Sequence, residues 1–140
     1  MRFVLDNSVT MRWLFRDGAT DNLAYASRVL EGMEKQRMEA LVPSLWGLEV
    51  ANVIVRGEAK GLLTEARSTE FVGLLRQMAI TSDATPLMTV FGDILQLARR
   101  HGLSSYDAAY LELSLRVGVP LATLDDALRR AVRSTDGRLF

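Results

Sequence analysis

With 140 residues, 49% of them hydrophobic, 24% charged and only three prolines, the chain has the size and composition of one folded domain around one core. It has no cysteine and a single histidine, His101, which argues against a disulfide framework, a thiolate metal centre or a histidine-based zinc site, so any metal must be held by oxygen. Net charge is zero, without the basic excess usual in nucleic-acid binders. Yet all but two of the 17 basic residues are arginine, which grips phosphate with a planar fork; a genomic arginine bias would give the same count.

The N-terminal "MRFVLDNSV" is too short an apolar run for a signal peptide. No stretch approaches the roughly 20 apolar residues needed to cross a bilayer, so a cytoplasmic location is expected. "RFVLD" reads as a buried parallel strand leading directly into a helix through "SVTMRWLF". "LAYASRVLEGMEKQ" has helical spacing and "MEALVP" suits a second strand. Pro43 and Ser44 open a helix through "LWGLEVANVIVRGEAKG" that stops near Gly61, and Thr64 starts another through "EARSTEFVGLLRQM". "AITSD" suits a strand and "PLMTVFGDILQLARRHG" one helix ending on basic residues and glycine. "LSSYDAAYLELSL" is a helix capped by Ser104 or Ser105. "VPLATLDDALRRAV" reads as strand, turn and helix, and "RLF" offers a last edge strand. Strands alternating with helices at these spacings imply an α/β domain spanning residues 1–140, with a parallel sheet covered on both faces and any site beyond the carboxyl ends of the strands.

Four acids stand out. Asp6 ends the first strand and Asp125 follows "PLATL", so both belong at the carboxyl edge of the sheet, although each also precedes a helix that an Asp can cap. Glu49 lies in "SLWGLEVANVIV", an apolar helix in which a buried carboxylate needs a partner, a proton or a metal; an arginine at the helix edge would serve as a partner. Asn52, three residues on, shares its face and is placed to orient it. Asp107 is spaced from Ser104 like a capping box, S-x-x-D, but its helix is apolar nearly all round and so should be buried. Like charges gathered this way call for a cation, and oxygen ligands select magnesium or manganese. Ser8 and Thr123, each two residues from an acid, are placed to add hydroxyls.

"RFVLDNSV", "PSLWGLEVANV" and "ARRHGLSSYDAAYLELSLRVGVPLATLDDAL", in that order, resemble the PIN-domain ribonucleases, and within them the VapC toxins of bacterial toxin–antitoxin pairs. The resemblance runs from about residue 2 to residue 130. It implies a PIN-like three-layer α/β/α sandwich with a short, mainly parallel sheet. It also places the four family acids on Asp6, Glu49, Asp107 and Asp125, with Ser8, Asn52 and Thr123 in supporting positions. Asp126 is an adjacent acid where the family varies, Asp93 matches no family motif, and His101 is read as structural.

The implied activity is metal-dependent hydrolysis of RNA phosphodiester bonds using Mg2+ or Mn2+, leaving a 5′-phosphate and a 3′-hydroxyl. Arg12 and Arg16 are the candidates for binding RNA at the rim of the acidic pocket. Trp46 is read as core, with base stacking as the competing role. The resemblance further implies a cognate antitoxin protein and a homodimer; the apolar faces of "LAYASRVLEGMEK" and "FVGLLRQM" agree with the latter. Two other readings stay open: a catalytically silent PIN-like module that binds RNA or protein, and an RNA-processing nuclease outside any toxin–antitoxin system. Phosphoaspartate chemistry is disfavoured, since Asp6-Asn7-Ser8 lacks the D-x-D of such phosphatases.

Overall fold

Alternation along the first strand sets the layering. Phe3 and Leu5 turn to one face and Val4 to the other, and all three are fully buried, each worth about 1.5–3 kcal/mol relative to exposure. The computed structural model describes residues 1–140. Its first half contains β1 (Arg2–Leu5), α1 (Asn7–Phe15), α2 (Thr20–Lys35), β2 (Glu39–Pro43), α3 (Leu45–Ala59) and α4 (Glu65–Gln77). Then come β3 (Ile80–Asp83), α5 (Leu87–Thr89), a π-helical turn (Val90–Ile94), α6 (Leu95–His101), α7 (Ser105–Val117), β4 (Leu121–Ala122) and α8 (Asp126–Arg133).

The four strands pair in the order β3-β2-β1-β4, and every pairing is parallel, with Val4 opposite both Leu41 and Leu121. Val9, Ala26, Val29 and Met33 cover the Phe3–Leu5 face, so α1 and α2 form one outer layer. Leu111, Leu113, Leu128 and Val132 cover Val4 and Leu121, so α7 and α8 form the other. The expected three-layer α/β/α architecture is therefore present. α3 and α4 do not join a layer face-on; Val50, Ile54 and Phe71 pack on Met11 and Leu14 of α1.

This topology also fixes where a site can form. The chain builds outward from β1 through β2 to β3, then returns to place β4 on the opposite side of β1. The carboxyl ends of β1 and β4 thus flank the point where the strand order reverses, the crevice in which open α/β sheets bind ligands.

Three elements differ from expectation. The helix expected through "PLMTVFGDILQLARRHG" is interrupted by the π turn, which contains Gly92, the poorest helix former in the interior of the run. "RLF" forms no strand; one parallel bridge joins Leu139 to Leu121, and the tail is held by Leu121 N–H donating to Arg138 O and Phe140 N–H to Leu121 O. α3 is not wrapped in protein, for Leu48 is 76% and Val55 62% exposed. By contrast α7 is as enclosed as its composition suggests, every residue from Ala108 to Ser114 being buried. No helix is long and apolar enough to cross a membrane.

Candidate active site

Asp6 leaves β1 at the switch point and is the most deeply buried of the four acids. It occupies the N-cap position of α1, yet its side chain makes no capping bond. Instead its Oδ2 accepts from the Ser8 and Thr123 hydroxyls, each at 2.6 Å. Ser8 Oγ in turn accepts from Leu124 N–H at 2.9 Å, and Thr123 Oγ1 accepts from Asp125 N–H at 3.1 Å. The two hydroxyls therefore clamp the loop after β4 to the end of β1. Burial pushes the Asp6 carboxyl above the usual range, the two hydroxyls oppose that shift, and Asp125 adds to it by repulsion.

Asp125 does cap a helix. Its Oδ1 accepts from Leu128 N–H at 2.8 Å, opening α8 beside the Thr123 clamp. Asp126, next to it, is exposed in the first turn.

Asp107 lies in the first turn of α7, and Ser104 is the cap, its hydroxyl accepting from Asp107 N–H at 3.1 Å. The Asp107 carboxylate is thus not the group that starts the helix. Its pKa is pushed up to about 6, first by burial, then by repulsion from Asp6 and Asp125, with Ser104 pulling slightly the other way.

Glu49, on α3, is half-buried, and its partner is neither an arginine nor Asn52. Tyr110 donates its hydroxyl to Glu49 Oε1. Burial raises the Glu49 carboxyl, the Tyr110 bond counters it, and Asp6 and Asp107 push it further up. Asn52 is exposed, and no hydrogen bond joins it to Glu49.

The four acids therefore lie within electrostatic reach of one another: Asp6 with Asp125, Glu49 with Asp6 and Asp107, Asp107 with Asp6 and Asp125. They come from four separate elements. No three acidic or histidine side chains stand close enough to make a finished coordination shell. The donor chemistry nonetheless fits a hard divalent cation, because every candidate ligand is a carboxylate or hydroxyl oxygen and the acids repel one another at the crevice.

The other predicted residues fall elsewhere. Arg12 is turned towards the far end of α1, where Nη1 is 2.5 Å from Asp17 Oδ1 and 2.7 Å from Asp17 O. Arg16 caps that same end in the left-handed region, φ 52°. At about 1.5 Å per helical residue, both are roughly 9 Å or more along α1 from its start at the acids. Trp46 is half-buried and packs against both core layers, with Nε1 donating to Thr10 Oγ1 at 3.3 Å. Asp93 is exposed on the π turn, and His101 ends α6 with a buried Nε2 that has no partner.

Two residues at the site escaped the sequence reading. Tyr110 looked like one more apolar residue of a buried helix; the available signal was its position three after Asp107, on the same helical face. Arg129 donates Nε to Thr123 O at 2.8 Å, bringing a cation beside the clamp. Its signal was the position four after the Asp125 cap.

Known proteins share the fold and part of the sequence. Residues 3–133 match the PIN domain family. The chain is 31% identical over 102 residues to Ribonuclease VapC3 of Pyrobaculum aerophilum, covering 73% of this chain and 78% of that protein. Among solved structures, PAE2754 from Pyrobaculum aerophilum superposes with a TM-score of 0.69 at 16% identity, covering 99% of this chain and 88% of the other. VapBC2 from Rickettsia felis, bound to a DNA fragment from their promoter, gives 0.69 at 10% identity, covering 100% and 98%. FitAcB from Neisseria gonorrhoeae gives 0.61 at 17%, covering 99% and 96%. At those identities the structures speak for the fold, while the profile match and the VapC3 similarity speak for descent: the chain belongs to the PIN-domain family and is a homologue of the VapC ribonucleases.

Proposed function

We propose that this protein is a divalent-metal-dependent ribonuclease that hydrolyses RNA phosphodiester bonds, acting as the toxin of a toxin–antitoxin pair in the cytoplasm. The observation that carries the reading is the convergence of Asp6, Glu49, Asp107 and Asp125 on the switch-point crevice, where Asp6, Glu49 and Asp107 each feel the charge of at least one other acid. Asp6, Glu49 and Asp107 would hold Mg2+ or Mn2+, and Asp125 would complete the site or orient water through the oxygen its capping bond leaves free. Such an ion lowers the pKa of a water and offsets charge on the scissile phosphate.

The protein's own share is orientation. Ser8 and Thr123 fix Asp6 Oδ2, no other side chain bonds Oδ1, and Tyr110 holds one oxygen of Glu49. Ser104 takes over the capping of α7, which releases the Asp107 carboxylate for the same crevice. Attack by water in line with the leaving oxygen yields a 5′-phosphate and a 3′-hydroxyl, with no need of a ribose 2′-oxygen.

An antitoxin and a second copy of the chain are the proposed protein partners. An apolar groove of about 550 Å3, lined by Trp46, Val50, Ile54, Val72, Leu75 and Ile80, supports a protein partner, as do the exposed Leu48, Val55 and Leu74 nearby. VapBC2, which shares the fold, supports an antitoxin.

The test is cleavage of a structured RNA by the purified chain, free of antitoxin, in Mn2+. Wild type should cut and leave 5′-phosphate ends, a chelator should stop it, and Asp6→Asn should be inactive. Equal cutting by wild type and Asp6→Asn would refute the assignment.

A further inference from the structure

Thr123 faces two ways. Its hydroxyl donates to Asp6, and its carbonyl accepts from Arg129 Nε, so a guanidinium that enters no ion pair is anchored beside the clamp. The Arg129 guanidinium carbon lies 5.0 Å from the centre of the Tyr25 ring, and that of Arg28 lies 5.5 Å from the same centre. Tyr25 is braced from behind by Phe140, edge-on at 6.4 Å, which packs on the buried Phe3 at 4.9 Å. The ring is therefore a platform braced from the core, with the Arg28 and Arg129 guanidiniums each beside it near the β4 edge of the sheet.

Neither arginine is spent elsewhere. The five ion pairs of the chain use Arg12, Lys35, Arg67 and Arg116, while Arg28 and Arg129 have no acidic partner. Two guanidiniums without acidic partners on one side of the crevice leave their charge available to an anion. The acid pocket next to them creates the complementary need: it repels the phosphates that flank a scissile bond, and a cation seat outside it would retain them.

We propose that Arg28 and Arg129, mounted on Tyr25, seat the RNA backbone next to the scissile bond, so that the strand leaves the acid crevice over β4 towards α2. This rests on the ribonuclease reading given above and adds the path of the substrate. It moves the RNA contact from Arg12 and Arg16, at the far end of α1, to the α2–α8 side of the crevice. Arg129 reads as the inner contact, fixed in direction by Thr123, and the exposed Arg28 as the outer one.

The experiment is fluorescence anisotropy with a labelled short polyuridylate in a chelator, so that nothing is cut, repeated across a salt series. Arg28→Gln and Arg129→Gln are compared with Arg37→Gln. Arg37 precedes the amino end of β2, at the end of the parallel sheet away from the crevice, and its loss changes net charge equally. For single strands each phosphate contact contributes about 0.7 to the slope of log K against log salt, or roughly eightfold in affinity near 50 mM salt. Arg28→Gln and Arg129→Gln should each show that loss, the double variant both, and Arg37→Gln neither.

Arg28 makes no hydrogen bond or ion pair, so Arg28→Gln keeps the test sound even if Arg129→Gln disturbs the Thr123 loop. Equal slopes for Arg28→Gln and wild type, or an equal loss in Arg37→Gln, would overturn the proposal. Cleavage in Mn2+, assayed separately, distinguishes the two claims. Wild type that cuts RNA while Arg28→Gln binds normally refutes the seat alone, whereas intact arginine-dependent binding without any cutting refutes the nuclease and leaves the seat.

Discussion

Tyr110→Phe removes one hydroxyl and nothing else. The ring is fully buried, so phenylalanine keeps the packing and opens no cavity, while Glu49 loses its hydrogen-bond donor. A hydrogen bond to a charged acceptor contributes about 1.5–3 kcal/mol. Glu49 is only half-buried and water can restore part of the loss, so the lower end applies, about 1.5 kcal/mol. In a chain of this size about 1 kcal/mol moves Tm by roughly 4 °C, so a fall of about 6 °C is expected. A second effect follows from orientation. Removing a side chain that orients a ligand typically weakens a metal site by about 10- to 100-fold, and Mn2+ affinity measured by calorimetry should fall within that range. Urea denaturation and Mn2+ titration on the same preparations decide it. A variant that matches wild type in both would show that Tyr110 neither supports nor aims Glu49, and a loss of stability with unchanged Mn2+ affinity would confine it to the core.

Asp6→Asn should abolish cleavage yet raise stability by about 1 kcal/mol, since it removes a buried charge that Asp125 repels; a destabilised variant in thermal melts would contradict this. The folded-state pKa of Asp107 is about 6, above its reference value of 3.8, so the fold favours the protonated form. The corresponding stability is present at low pH and lost as pH rises from about 4 to about 6, and Asp6 and Glu49 shift in the same direction. Metal-free protein should melt progressively lower across that window, the trend being smaller in Asp107→Asn. Above it, Mn2+ at about 100 times its Kd should restore about 2.7 kcal/mol in calorimetry. Arg12→Gln should leave RNA cleavage within about twofold and cost less than about 1 kcal/mol, because its charge is paired with the exposed Asp17. Arg116→Met should cost about 1.5 kcal/mol in urea unfolding, because it leaves the buried Glu112 carboxylate without its partner while water at the 44% exposed Arg116 position replaces part of the bond.

What could be read in the chain and what could not divides along distance in sequence. Asp6, Asp107 and Asp125 announce themselves locally, by the strand end or helix start they occupy, and a parallel sheet carries all such positions to one edge. The side-chain partners are another matter. Tyr110 meets Glu49 across 61 positions and Thr123 meets Asp6 across 117, and no periodicity reports such pairings. The same limit explains Arg12 and Arg16. They follow the first acid closely in sequence, but a helix carries the chain away from its own N-terminus, and the cation beside the Thr123 clamp is Arg129, from the far end of the chain. Glu49 shows the reverse error. Its apolar neighbours suggested a helix enclosed by protein, whereas the fold leaves Leu48 and Val55 in the open, so the pattern that implied burial marks a surface instead.

Placing four acids at one crevice works against folding, and the local structure is arranged to limit that cost. Each acid has at least one compensation close by. Ser8 and Thr123 donate to Asp6, Tyr110 donates to Glu49, the α8 amide of Leu128 donates to Asp125, and Ser104 carries the cap that Asp107 would otherwise supply. None of these donors bears a full positive charge, so none neutralises the site. A lysine or arginine placed among the acids would stabilise the fold further and fill the position a cation would take. Arg129 is the informative case: it comes as near as Thr123, but spends Nε on the carbonyl rather than on a carboxylate. The arrangement keeps the acids oriented and mutually repelling, which is the condition under which a divalent ion gains most by binding.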